Sequence, residues 1–280
     1  MKNLSRTKAF AIIAVAIGII VALSFTAYSL SSQPDISPDQ AVNSVKAFAK
    51  VDKVRTVSRI DLPTNRPVYD ITADDGRTFW VEVKSGKIAG VVGPVDANPI
   101  DLAQLPLTKD KAIKRAEEFV RAKYENFDEL KLTEVREMVD GSYMIEWEKV
   151  APNGAKLLKS VSIGIDPRSG AMGQYLARDE DVLIATEPKI SEADALNVLK
   201  PRMTSHAKDI KTELNVLRDK NGQQRLIWYV IYTDSYDTAE GEIKHRDQVF
   251  IDAYNGNDIS DDFVISRPPT PVSETSKAKK

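Results

Sequence analysis

From Ser37 onward the chain switches between two rhythms. Stretches in which apolar residues recur every three or four positions give way to stretches in which they recur at every second position, and the switch happens three times. The helical rhythm runs through SPDQAVNSVKAFAK from Ser37, TKDKAIKRAEEFVRAKY from Thr108 and SEADALNVLKPRM from Ser191. Each stretch opens on a hydroxyl residue able to cap orphan backbone N–H groups. Each also places an acid, Asp39, Asp110 or Glu192, in the first turn, where the helix dipole favours it. Gln40 after Ser37 and Asp194 after Ser191 stand at capping-box spacing. Four residues past each cap come Ala41, Ala112 and Ala195, followed by Val42, Ile113 and Leu196. A small residue beside an aliphatic one at the same phase predicts that each helix packs closely on the same kind of surface.

Downstream the period falls to two, and a Tyr-x-Ile pair recurs: Tyr69 with Ile71, Tyr143 with Ile145, Tyr229 with Ile231. Residues two apart share one side of a strand, so the spacing predicts a half-buried strand with these pairs facing inward. A closing strand follows as WVEVKSGKIA, SIGIDPRSGAM and FIDAYNGNDI, each entering a turn at Gly86, Gly170 or Gly256 after Ser or Asn. Glycine accepts positive φ without a Cβ penalty, so this motif is expected to be architectural. From marker Tyr to marker Gly is 27 residues in the second and third copies and 17 in the first. The extra length falls in KVAPNGAKLLKS and TDSYDTAEGEIKH, which read as longer hairpins. The order predicts an internal repeat.

Ahead of this pattern, Lys2, Arg6 and Lys8 precede an apolar run of 22 residues, Ala9 to Leu30, with no charge until Asp35. About 20 apolar residues span a bilayer core, and the one-sided basic flank places the N-terminus in the cytoplasm. The expectation is a single-pass cell-membrane protein whose C-terminal part is extracytoplasmic. A cleaved signal peptide is the rival, with Ala27 and Ser29 before Leu30. The expected division is a cytoplasmic stub and transmembrane anchor at 1–36, units at 37–93, 107–176 and 190–262, and a disordered tail at 263–280 whose end, RPPTPVSETSKAKK, has little to bury. Pro-bearing linkers join the units, and in them Leu102, Val182, Leu183 and Ile184 have the character to dock on a neighbour.

Composition narrows the function classes. Thirty-nine basic residues against 41 acidic leave a formal charge of −2, so no overall field favours nucleic acid. The absence of Cys removes thiolate metal sites and cysteine nucleophiles. Two histidines, His206 and His245, sit in unrelated contexts, and no metalloprotease, serine-hydrolase or phosphate-loop motif occurs. The acidic stretches TDSYDTAEGE and NGNDISDD lack EF-hand spacing and read as solvated turns, although weak calcium binding there stays open. Glu146 and Glu148 flank Trp147 on a strand, so both carboxylates point away from the Trp onto a solvated face. Trp80, Trp147 and Trp228 read as core anchors, one per unit. No catalytic, cofactor-binding or metal residue is expected, and no cofactor.

The capped helix with its Ala-aliphatic pair, the Tyr-x-Ile strand and the final strand with an acid four residues before the turn Gly resemble the PepSY domain family. YpeB-like and TseB-like membrane-anchored extracytoplasmic proteins carry such units, as do metallopeptidase propeptides. The resemblance spans Ser37 to about Asp262 in three copies. Asp252, Asn255, Gly256 and Ile259 fit best, then Asp166, Gly170 and Met172. The first copy departs furthest, with Glu82 in place of Asp and a short hairpin. The implied fold class is α+β, an N-terminal transmembrane helix followed by three repeated units, each a helix packed on a small antiparallel sheet. The implied role is non-catalytic: binding and regulating or scaffolding an envelope or secreted protein, peptidase or cell-wall machinery. The alternative is an inhibitor or folding assistant of a secreted metallopeptidase.

Overall fold

Ser37, Thr108 and Ser191 each start a helix in the computed structural model, which describes residues 34–62, 66–95, 105–238 and 241–263. Helix α1 is Pro38–Phe48, and its capping box is complete: Gln40 N–H donates to Ser37 Oγ at 3.2 Å and Ser37 N–H to Gln40 Oε1 at 2.7 Å. Helix α2, Lys109–Lys123, is capped by Thr108 alone, and α3, Glu192–Leu199, has the box of Ser191 with Asp194. Ala41, Ala112 and Ala195 are fully buried, as the shared phase predicts.

The strand-to-turn motif is architectural, and the structure shows what it holds. Gly86, Gly170 and Gly256 have φ of 72°, 68° and 78°. Each donates its N–H to the carbonyl four residues back, at Glu82, Asp166 or Asp252, at 2.7 to 2.9 Å. The carbonyl one residue past each acid then accepts from the residue just before a helix cap: Ile36 N–H on Val83, Leu107 N–H on Pro167, Ile190 N–H on Ala253. Acid, turn and glycine therefore clasp the entry of the helix onto the sheet, three times over.

The strands are β1 Val54–Leu62, β2 Arg66–Ala73, β3 Thr78–Glu82, β4 Ile88–Val92, β5 Lys131–Glu137, β6 Tyr143–Val150, β7 Lys156–Ile165, β8 Met172–Asp179, β9 Lys208–Arg218, β10 Gln224–Thr238 and β11 Gly241–Asp252. The expected separate small sheet for each helix is corrected here. All the strands join one 11-stranded mixed sheet, ordered β1-β2-β3-β4-β8-β7-β9-β10-β11, with β6 also on β7 and β5 on β6. The edge that would end the first group, β4, pairs antiparallel with β8, Val91 opposite Tyr175. Two otherwise open edges thereby satisfy each other's backbone groups. One parallel bridge, Lys156 opposite Asn215, ties β9 to β7.

The expected transmembrane anchor and cell-membrane location are also corrected. Among the described residues no helix is long and apolar enough to cross a membrane. The longest, α2, has 15 residues, about 22 Å of helix against a hydrocarbon core of about 30 Å, and it is amphipathic. The run Ala9–Leu30, the first linker's Leu102 and the tail from 264 lie outside the described residues.

Helices α1 and α2 share one core with β2–β4 and β6–β8, containing Val45, Ile71, Phe79, Val120, Ile145 and Ile163 among others. Helix α3 is short, eight residues, and covers only Val230, Tyr232, Val249 and Ile251 of its own strands. The rest of that apolar face, Leu214, Val216 and Leu226, is covered by Ala155 and Leu158 from the β6–β7 hairpin and strand β7 and by Val182 and Ile184 of the second linker. Leu183 between them stays exposed.

The third Tyr-x-Ile pair faces the wrong way. Tyr69 and Ile71 are buried on the helix side, as is Ile145. In β10, however, Trp228, Val230 and Tyr232 face α3, which puts Tyr229 and Ile231 on the opposite side. A one-residue shift exchanges the faces of a strand. Both faces of β10 are apolar, so periodicity alone does not distinguish them.

Candidate functional site

The junction between the first two helix-and-strand groups has a local twofold character. Val91 and Tyr175, five residues past Gly86 and Gly170, face each other at its centre; Gly90 pairs with Leu176 and Val92 with Gln174 on either side. Above this pairing lie Phe48 of α1 and Phe119 of α2, each seven residues past the buried Ala of its helix. Their rings meet at 6.3 Å between centroids, and both touch Tyr175, at 5.2 and 6.2 Å. Matching positions thus meet matching positions across the seam.

Two clefts open on either side of this aromatic bridge. The first, about 430 Å³, lies between Ser44 of α1, Ile88 of β4 and Asp179 at the end of β8. Within it Lys87 Nζ reaches Asp179 at 2.5 Å and Glu125 at 3.5 Å. Burial alone would raise the Asp179 carboxyl; Lys87 and Lys159 outweigh it and hold it below the ordinary range. Tyr124, whose hydroxyl donates to the Arg178 carbonyl at 3.0 Å, is pushed up chiefly by burial. The second cleft, about 440 Å³, lies between Arg115 of α2, Met172 of β8 and Val95, with Lys46, Lys50 and Lys123 at its rim.

Beside the seam a carboxylate joins all three groups of strands. Glu180, just past β8, takes Arg218 Nε at 2.5 Å, Arg178 Nε at 3.0 Å and Arg66 Nε at 3.5 Å. Burial would raise its carboxyl, but Arg178, Arg218 and Arg66 together hold it below the usual range. Arg66 and Arg218 lie far from Glu180 in sequence, and no local signal marks them.

Among the described residues, those singled out in the sequence do not assemble into a reactive centre. Glu146 and Glu148 do lie opposite Trp147, yet their face is less solvated than expected. Glu148 pairs with Lys156 at 2.7 Å, and burial, followed by repulsion from Glu148, pushes Glu146 up to about 7. Trp147 is buried against Phe127, and Trp228 Nε1 donates to the Ile190 carbonyl at 3.1 Å. Trp80, expected in the core, lies on the opposite face across Gly90. His206 sits in the turn after α3; His245, on β11, pairs with Asp247 at 2.8 Å. Asp234 accepts from Thr204 N–H, in the segment after α3, at 2.9 Å, and Asp258 accepts from Ser260 within its own turn, so both acids are engaged. Among the described residues no group of three or more His, Asp or Glu is placed to hold a metal. What the geometry offers is shaped, charged surface at the seam, suited to binding.

Residues 35–92 match the PepSY family, described as "Peptidase propeptide and YPEB domain". The match falls on the segment whose closing motif departs furthest from the other two. Among solved structures, the YpeB C-terminal domain of Bacillus megaterium is similar at 18% identity, with a TM-score of 0.42, over 80% of this chain and 96% of that one. No curated protein matches the chain. The segment 35–92, comprising α1 and β1–β4, is similar to the PepSY domain.

Proposed function

We propose that the protein acts without turnover, by binding a peptidase and restraining it or assisting its folding. The family match carries this reading: 35–92 falls in a family described by peptidase propeptides, whose role is regulatory or propeptide-like rather than catalytic. The surface supports contact with a protein. Among the described residues strand β1 is the outermost strand of its end of the sheet and pairs only with β2, and its stretch Arg55–Arg59 is exposed. An edge of this kind presents unpaired backbone donors and acceptors to which a partner's extended segment can add.

The test is to mix the full chain with a secreted metallopeptidase, measuring association by calorimetry, peptide hydrolysis and the yield of active peptidase on refolding. Saturable binding with a change in either activity supports the reading. Absence of binding together with unchanged hydrolysis and refolding sinks it. Recovery of cell-wall proteins instead, on crosslinking, transfers the role to regulation or scaffolding of that machinery.

A further inference from the structure

The first cleft contains a hydroxyl that the fold leaves unused. Tyr175 is 2% exposed and lines this cleft. A tyrosine buried to that degree ordinarily hydrogen-bonds its hydroxyl. Tyr124, which also lines the cleft, does so through the Arg178 carbonyl. Among the described residues no donor or acceptor meets the Tyr175 hydroxyl, and its oxygen is not sealed in protein, so it opens on the cleft. Burial, followed by the nearby Asp179 carboxylate, pushes this hydroxyl up, so it stays protonated at neutral pH and can donate as well as accept. Ser44, one helical turn before Phe48 on the same face of α1, brings a second hydroxyl with no partner among the described residues. Phe48 touches Tyr175, so both hydroxyl-bearing residues neighbour one ring.

The charged side chains of the same cleft are already engaged. Lys87 reaches Asp179 and Glu125, and Asp179 also takes Lys159 at 3.3 Å. Glu82 takes Arg66 at 2.6 Å. Lys123 donates to the Phe48 carbonyl and lies 4.9 Å from the Phe48 ring centre. A ligand charge of either sign would have to displace one of these partners. Glu125, 79% exposed, offers a cation only a contact screened by solvent. What remains unmatched is neutral, two hydroxyls that each donate and accept. A carboxamide presents a carbonyl acceptor and N–H donors side by side. The short walls of Ala47, Ala122 and Ala177, with Ile88, leave room for its methylene stem, and about 430 Å³ is the scale of a small-group site. A sugar would also meet the hydroxyls, but its apolar face needs an open ring to stack on. The Phe48 ring is taken by Lys123, Phe119 and Tyr175.

We propose that this first cleft receives a glutamine side chain of the partner protein, its carboxamide held by the Tyr175 and Ser44 hydroxyls and its stem against Ala47 and Ile88. The proposal rests on the binding role above and names the surface and the chemistry it reads. The seam is the source of the site: Ser44 belongs to the first group of strands and its helix, and Tyr175 to the second.

The probe is a fluorescein-labelled hexapeptide of Ala, Leu and Gln, compared by anisotropy with counterparts carrying Glu or Lys in place of Gln, all against the full chain. The Gln peptide is expected to bind saturably and each charged counterpart about tenfold more weakly. Added salt should leave the Gln peptide's affinity unchanged, since no ligand charge is involved. Tyr175→Phe removes one oxygen and keeps the ring. It should lower affinity about fivefold with an unchanged melting temperature, because that hydroxyl bonds nothing in the protein. Tyr229→Phe, the same atom removed from β10, should change affinity less than twofold. Ala47→Leu, at an exposed helix position where Leu is well tolerated, fills the cleft and should lower affinity about tenfold. Failure of the Gln peptide to bind, equal binding of either charged counterpart, unchanged affinity in Tyr175→Phe, or displacement of the peptide by a neutral tetrasaccharide would overturn the proposal. If a peptidase binds and neither Tyr175→Phe nor Ala47→Leu alters that binding or the peptide's, the cleft falls and restraint of a peptidase stands. If the Gln peptide binds through Tyr175 while no peptidase does, the cleft stands and its assignment to a peptidase falls.

Discussion

Phe48 and Phe119, at matching positions of two different helices, meet edge to face above the pairing of Val91 with Tyr175. Both are half-buried, so removing one ring should cost less than the ~3–5 kcal/mol of a fully buried aromatic; Phe119→Ala is expected to lose about 2 kcal/mol. Urea unfolding of the two single variants and the double variant measures their coupling. Because the rings share one contact, the double loss should fall short of the sum by about 0.5 kcal/mol or more; simple additivity would show that the seam does not depend on their contact.

Glu180 holds three arginines from three regions of the chain, and its side chain is only 15% exposed. Glu180→Gln should cost about 2–3 kcal/mol at neutral pH, since it leaves the guanidinium groups facing one another without their anion. Its folded carboxyl lies below the ordinary 4.5. The stability it contributes is therefore present above that value and is lost as pH falls through the lower folded one. Thermal melts from pH 7 to 3 should show a steep acid limb in the parent chain and a shallower one in the variant. Parallel curves would remove Glu180 from that role.

Glu146 has the opposite sign. Burial, followed by the nearby Glu148, raises it to about 7 from an ordinary 4.5, so the folded chain holds a proton that the unfolded chain releases. Stability then declines between those two values and stays reduced above them. Glu146→Gln should gain about 1 kcal/mol at pH 8, discounted for partial exposure, and nothing at pH 4. A gain of equal size at both pH values would point to packing instead of charge.

Two glycines should fail for different reasons. A Cβ at Gly90 would overlap Trp80 Cε3 and come within 3.0 Å of Cζ3, so Gly90→Ala overpacks by about 1–3 kcal/mol. Trp80→Leu should relieve that loss. At Gly256, φ is 78° and the nearest atom, Ile190 Cδ1, is at an ordinary 3.6 Å. Gly256→Ala should cost about 1–2 kcal/mol through the backbone, with no relief from Ile190→Val. Calorimetric melts of the four variants and two doubles decide it, and relief at Gly256 would refute the backbone account.

What was legible beforehand was local. Ser37 with Gln40, Ser191 with Asp194 and the turn glycines close their hydrogen bonds within a few residues, so sequence spacing specifies them. The face of β10 was misread because Ile227 and Tyr229 on one side and Trp228 and Val230 on the other are equally suited to burial. Trp80 was misread because a Trp in a strand fits either face, and only the missing side chain of Gly90 shows where this one lies. Of the candidate cleft, the sequence held the equivalence of Phe48 with Phe119, but not that the two would touch.

By itself, then, the chain's pattern determined where helices begin, where strands turn and why glycine stands at 86, 170 and 256. Those outcomes depend on hydrogen bonds and torsions between near neighbours. Only the tertiary structure decided that β4 would pair with β8 and that Arg66 and Arg218 would converge on Glu180. Edge pairing and charge convergence join residues tens to more than a hundred positions apart. Their energies depend on which surfaces remain open once local structure has formed, and no spacing along the chain records that.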